Sequence, residues 1–174
     1  MFAFAIVCYT LDVKQFGAKG SENLFELINK MLQERDPVLL DGSMGYLHYL
    51  FGGLRSLPKA PQREYFRGIP KAALGIFKEH YTLGRVVHWS GLTSVSGSIA
   101  VARKFAGLGG ILVRVTAFTA RAIRDWSAFA YEDELLLFPN FEAMVCKELH
   151  FVDTANQWEL HLVEKKTHES KFVF

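Results

Sequence analysis

Glu132, Asp133 and Glu134 open a strongly apolar run, Leu135-Leu136-Leu137-Phe138. Side chains alternate faces along an extended strand, so Glu132 and Glu134 are expected on one face with Asp133 opposite. Two residues of rise would part the two carboxylates by about 6.6 Å. Paired carboxylates serve sugar transfer through an oxocarbenium-like transition state. A gap of roughly 6.5–9.5 Å leaves room for an acceptor between them and predicts inversion. Like charges this close repel, a cost that a site accepts for function. Alone, the triplet also reads as a solvated strand end. Ser94-Val95-Ser96 follows the same period, with both hydroxyls on one face. Arg67 lies inside an aromatic strand, Tyr65-Phe66-Arg67-Gly68. A charge in a central strand needs a partner. A guanidinium suits a planar anion gripped through two bonds, such as phosphate, and a buried ion pair is the alternative.

Other chemistries lack their residues. Gly107-Leu108-Gly109-Gly110 precedes a strand instead of following one, so it reads as a turn and not as a dinucleotide fingerprint. The six histidines show neither a His-Glu-x-x-His spacing nor a pairing with cysteine, so no metal is expected. A net charge of +2, with no Lys- or Arg-rich run, argues against a grip on nucleic acid. The apolar start, Met1 to Cys8, is too short for a membrane span and has no basic flank or cleavage site after it. It reads as a core segment, in a chain expected in the cytoplasm or delivered as an effector, without a membrane partner. Cys8 and Cys146 are too few for a disulfide framework and are expected as two buried thiols, a single bridge being the alternative.

The elements that must position these groups fall in two blocks. Ser21 is expected to cap a helix running to about Arg35, with Leu24, Phe25, Leu27, Ile28, Met31 and Leu32 on one face and Pro37 ending it. A second helical pattern turns Met44, Leu47, Leu50, Phe51 and Leu54 inward, and Leu57-Pro58-Lys59-Ala60-Pro61 breaks it. Strands are expected at 64–68, 85–89, 111–115, 132–138, 141–146 and 157–163, with a short helix at 97–105. Helices first and strands after predict an α+β fold in one domain, residues 1–174, with a helical lead-in over 1–60 and a mostly β core over 61–174.

In this order and register, the motifs resemble the arginine–serine–glutamate group of ADP-ribosyltransferases, which includes vertebrate arginine-specific transferases and iota-type bacterial toxins. Tyr65-Phe66-Arg67-Gly68 resembles the group's first-strand motif. Trp89 to Ser96, with Ala100 and Phe105 after it, resembles the Ser-Thr-Ser strand and its following helix. Ser127 to Leu136 resembles the turn-turn loop entering the Glu-x-Glu strand. The likeness runs over nearly the whole chain.

The resemblance implies two small perpendicular mixed sheets around an NAD cleft, with the helices to one side. It implies mono-ADP-ribosyl transfer from NAD, as substrate and without metal, to arginine of a target protein. Arg67 would hold the pyrophosphate or adjacent ribose, and the Gly68 backbone the nicotinamide amide. Ser94, with Ser96 beside it, would brace Glu134 and the nicotinamide side. Glu134 would bond the ribose 2′-hydroxyl and stabilise the oxocarbenium. Glu132 would orient and deprotonate the acceptor, and Phe129 would touch the target. Arg103 is a weak candidate for a second phosphate contact. Val95, Leu92 and Ala130 depart from the group's Thr, Phe and Pro without removing a reacting group. The competing readings are a NAD glycohydrolase with water as acceptor and an inactive binding module.

Overall fold

The computed structural model describes residues 1–13, 22–127 and 133–166. Three helices come first: α1 (Phe2–Thr10), α2 (Leu24–Glu34) and α3 (Pro37–Ser56). The apolar start is α1, which buries Ala5, Ile6 and Tyr9 as a core segment. Asn23 is the N-cap residue of α2, and Glu26 reaches back to accept from the Asn23 amide at 2.9 Å. The expected cap, Ser21, lies outside the described residues. Arg35 ends α2 in a left-handed conformation (φ 54°), and Asp36 caps α3 by accepting from the amides of Val38 and Leu39. Pro37 therefore both stops one helix and starts the next, where its missing N–H costs nothing.

Along α3, Leu47, Leu50, Phe51 and Leu54 are buried as their spacing predicts. Met44 is not: it is 38% exposed. Helix α1 packs on the second half of α3, where Gly53 lets the Phe2 carbonyl come within 3.0 Å of its virtual Cβ. Met44 comes before Tyr46, whose hydroxyl donates to the Ala5 carbonyl at 2.8 Å.

The strands are β1 (Arg63–Ile69), β2 (Val86–Trp89), β3 (Thr93–Ser96), β4 (Ile111–Ala117), β5 (Arg121–Ala122), β6 (Glu134–Leu137), β7 (Phe141–Val152) and β8 (Gln157–Glu164). Helix α4 (Leu74–His80) was not expected from the pattern, and α5 (Ile99–Ala106) was. The strands hydrogen-bond in the order β2-β7-β8-β4-β1-β3-β6-β5. Among the described strands, only β4 and β8 pair in parallel. The two expected sheets are two parts of this ladder, β2-β7-β8-β4-β1 and β3-β6-β5, joined through one residue pair, Phe66 with Ser96.

Two cores fill the molecule. One takes Tyr65, Val113, Val115 and Leu160 from the first part of the ladder, and Val95, Leu135 and Leu137 from the second. The other packs Ile6, Ile28, Leu47 and Leu54 of the helices on Leu92, Ile123 and Leu136. Val95 lies in the first of these cores and Leu92 in the second. Helix α5 lies tight on β1: a Cβ on Gly68 would strike the Ala102 carbonyl and the Ala106 amide, so only glycine fits there.

The two cysteines are free, but Cys146 is exposed and Cys8 half-buried. The expectation of two buried thiols fails because Cys146 alternates with Ala143 and Val145, which point into the core. No described helix is long and apolar enough to cross a membrane.

Candidate active site

Strand pairing assembles the site. In the antiparallel β3–β6 ladder, Ser96 faces Glu134 and Ser94 faces Leu136. Ser94 and Glu134 therefore share a face on a diagonal, within reach of each other. The Ser94 hydroxyl donates to Glu134 Oε1 at 2.6 Å, a short charge-assisted bond. Ser127 donates to the other oxygen, Oε2, at 3.4 Å. Arg67 reaches across from β1, its Nη1 donating to the Ser94 carbonyl at 2.7 Å, close to the narrow point of the ladder.

Burial sets the electrostatics. It raises the Glu134 pKa above the ordinary carboxylate value, while the bonds from Ser94 and Ser127 and the charge of Arg67 oppose the rise. Burial also lowers the Arg67 pKa, against the pull of Tyr9, Tyr81 and Glu134. A guanidinium starts so high that it stays charged. The result is a part-buried carboxylate held by Ser94 and Ser127, with a part-buried cation nearby.

These groups line a cleft of about 530 Å³. Arg67, Gly68, Ser94, Ser96 and Glu134 all border it. A second cavity of about 350 Å³ adjoins it, and Arg67, Asn29 and Leu92 line both. Phe66 and Phe105 give the larger cleft an aromatic wall. The Ser96 hydroxyl accepts from the Ser98 amide at 3.0 Å, which sets the turn into α5. Arg103 is not on the cleft: it pairs with Glu159 at 3.2 Å on the far side of α5. A glutamate on the neighbouring β8 captures it, and this pairing removes it as a phosphate contact. Glu132 and Phe129 lie outside the described residues.

The carboxylate-pair geometry expected from the sequence needs an extended backbone at Asp133. The strand begins only at Glu134, and Asp133 has φ 47°. Strict alternation therefore stops at Glu134, and the 6.6 Å estimate across the pair loses its basis.

Two cleft residues escaped the sequence reading. Tyr9 of α1 and Asn29 of α2 both line the cleft, and Asn29 Nδ2 donates to the Tyr9 hydroxyl at 3.1 Å. Burial pushes the Tyr9 hydroxyl pKa well up, and the Glu134 charge adds to it. Asn29 Oδ1 is buried and has no hydrogen-bond partner among the described residues. One signal was available for Asn29. It stands four residues after Phe25 and three before Leu32, a polar side chain on an apolar helical stripe.

Among the described residues, no group of three His, Cys, Asp or Glu is placed to hold a metal ion. No family model matches the chain, and no curated protein matches it in sequence. Solved structures do match. The ADP-ribosyltransferase HopU1 of Pseudomonas syringae superposes with a TM-score of 0.73 at 13% identity, over 94% of this chain and 76% of that one. Exoenzyme S of Pseudomonas aeruginosa, in complex with human 14-3-3 protein beta and bound to carba-NAD, gives 0.69 at 19% identity, over 99% and 78%. The Vis toxin of Vibrio splendidus, an ADP-ribosyltransferase, gives 0.66 at 19% identity, over 98% and 75%. Arg67, Ser94 and Glu134 thus meet at one cleft in a chain whose fold is that of the ADP-ribosyltransferases.

Proposed function

We propose that the protein is a mono-ADP-ribosyltransferase that moves ADP-ribose from NAD to arginine side chains of a target protein. The observation that carries this is the part-buried Ser94–Glu134 bond beside Arg67 in a cleft of about 530 Å³. The chain's residues suit NAD. Arg67 lies where the two cavities meet and would hold the pyrophosphate between them. Gly68 borders the cleft, and its backbone would bond the nicotinamide amide. Asn29 Oδ1 is an unmet acceptor that a ribose hydroxyl or an amide can satisfy. Carba-NAD bound to Exoenzyme S and agmatine, an arginine analogue, in complex with Vis support this substrate pair.

The chemistry follows from where charge develops. The bond between nicotinamide and ribose C1′ breaks, its electron pair leaving with nicotinamide. Positive charge builds on the ribose, and the fixed Glu134 carboxylate stabilises it without reorganising. Ser94 and Ser127 hold that carboxylate in one rotamer. A nitrogen of the acceptor guanidine then bonds to C1′. Its proton goes to Glu132, because a guanidinium is otherwise a poor nucleophile. Phe129 would touch the target and Ser96 would border the nicotinamide side.

The test is to incubate the protein with NAD and agmatine and to follow nicotinamide release and agmatine labelling, with E134Q as control. Labelled agmatine that depends on Glu134 is expected. Nicotinamide release without labelling would instead mark a NAD glycohydrolase. A folded protein that neither binds NAD by calorimetry nor releases nicotinamide would refute the proposal and leave a binding module.

A further inference from the structure

Among the described residues that line the cleft, none comes from β8, yet two buried side chains of that strand grip a cleft wall. Gln157 and Glu159 stand two apart on β8 and so share a face. Gln157 Nε2 donates to the carbonyls of Arg103 and Gly107, both at 2.9 Å, at the end of α5. Glu159 Oε1 accepts from Arg103 Nη2 at 3.2 Å, and its other oxygen, Oε2, accepts from Arg114 Nε at 3.1 Å. Arg114 is held a second time, its Nη1 donating to Glu64 Oε2 at 2.7 Å. Burial works to raise the Glu159 pKa, but the bonds and charges of Arg114 and Arg103 hold it below the ordinary carboxylate value.

Each arginine leads to one aromatic ring of the cleft. Arg114 stands opposite Phe66 in the β1–β4 ladder, and its guanidinium carbon lies 5.5 Å from the centre of that ring. Arg103 stands two residues before Phe105 on α5. Side chains two apart on a helix point about 200° apart, so the grip of β8 on Arg103 turns Phe105 toward the cleft. The Phe105 Cβ already presses on β1, 2.8 Å from where a Cβ on Gly68 would stand. That contact limits how close the helix comes, and the bonds from Gln157 and Glu159 fix how it is rolled. One carboxylate thus holds both rings, and it does so through side-chain bonds on both of its oxygens.

We propose that Glu159 is a positioning residue for NAD: by holding Arg103 and Arg114 at once, it sets the Phe66 and Phe105 rings at the spacing that takes a planar ring of the dinucleotide. This rests on the reading above, in which the cleft binds NAD. Glu159 touches no substrate. It governs how tightly NAD is held more than how fast bound NAD is cleaved.

The experiment uses E159Q, R114M and R103M in the full chain, with NAD affinity by calorimetry and nicotinamide release over a range of NAD. E159Q keeps the size of the side chain and leaves one acceptor oxygen for two arginines. It is expected to raise Kd and KM for NAD at least fivefold, with kcat within twofold of the parent. Partial unfolding alone would lower kcat and leave KM unchanged. R114M should raise KM in the parent but by less than twofold in an F66L background, because Arg114 acts through that ring. R103M should behave in the same way toward F105L. These two variants carry the test if E159Q fails to fold. An unchanged KM in E159Q, a fall confined to kcat, or full additivity of R114M with F66L and of R103M with F105L would overturn the proposal. Fluorine NMR of the chain labelled with 4-fluorophenylalanine, without NAD, gives a readout that needs no turnover. R114M should move the Phe66 signal, R103M the Phe105 signal and E159Q both, with F66L and F105L assigning them. Signals that stay in place in E159Q would sink the shared grip. A parent that neither binds NAD nor releases nicotinamide would sink the functional reading instead.

Discussion

Replacing Ser94 by alanine removes one hydroxyl and leaves the rest of the site in place. Arg67 bonds the Ser94 carbonyl, which S94A keeps. What goes is the 2.6 Å bond to Glu134 Oε1. A hydrogen bond to a charged group contributes about 1.5–3 kcal/mol. At 1.36 kcal/mol per factor of ten, that is roughly 10- to 150-fold in the balance between ionised and neutral Glu134. The sign follows from the causes. Burial raises this pKa and the Ser94 bond opposes the rise, so losing the bond raises it further. Only the ionised carboxylate stabilises the oxocarbenium, so the acid limb of the rate must move to higher pH. The assay is nicotinamide release under saturating NAD, measured across pH for parent and variant. The loss should approach the full factor on the acid side and shrink on the alkaline plateau, where both proteins are ionised. An acid limb that does not move, with a plateau within twofold of the parent, would refute the claim that Ser94 holds Glu134 in its working state.

Three further substitutions test the remaining roles. E134Q should abolish transfer and hydrolysis, a loss of several kcal/mol in the transition state, with NAD affinity by calorimetry changing far less. The same variant bears on stability. A folded-state pKa raised above the unfolded one gives stability that is present below the unfolded pKa and lost as pH rises through the folded one. At neutral pH the ionised, part-buried Glu134 is therefore a cost, and E134Q should melt higher than the parent. The gap should close in acid, and a melting temperature below the parent's at pH 7.5 would contradict the burial argument. R67K should weaken NAD binding by about tenfold, about 1.4 kcal/mol, because a point charge cannot replace a fork; equal affinities by titration would remove Arg67 from the anion site. E132Q should lose agmatine labelling by about 10²-fold or more while nicotinamide release largely persists, and a parallel fall would place Glu132 in the ribose step.

What the sequence made legible was the set of residues that act through their type. Arg67, Ser94 and Glu134 stand in short motifs whose order survives in the chain, and strand pairing then brings them to one cleft. The helical block and most strands were legible for a similar reason, since Leu47, Leu50, Phe51 and Leu54 repeat at a helical period. Tyr9 was not legible. It ends an apolar run that says only that a segment is buried, and the cleft it borders exists only once α1 packs on α3. Asp133 was misread because Glu132 to Phe138 has the composition of one unbroken strand. Its carbonyl instead accepts from the Gly97 amide, far away in the chain, and its backbone is left-handed. Arg103 was misplaced because its partner, Glu159, comes from a strand that pairs with β4 by a long crossover. Met44 fits the helical period, yet it stays 38% exposed on a helix whose first buried residue is Leu47.

The parallel pairing of β4 with β8 bears on timing. Every described residue that lines the cleft precedes β8 in the chain, the last of them being Glu134. Yet β8 lies in the middle of the ladder, between β7 and β4, and β4 is the support of the strand that carries Arg67. A nascent chain can hold all of its chemistry and still lack the strand that locks the sheet. Such long-range pairing forms slowly and late. The cleft is therefore expected to close in one step once β8 has been made. A chain cut before Gln157 should show no cooperative melting and no NAD turnover, although the cut spares every described cleft residue.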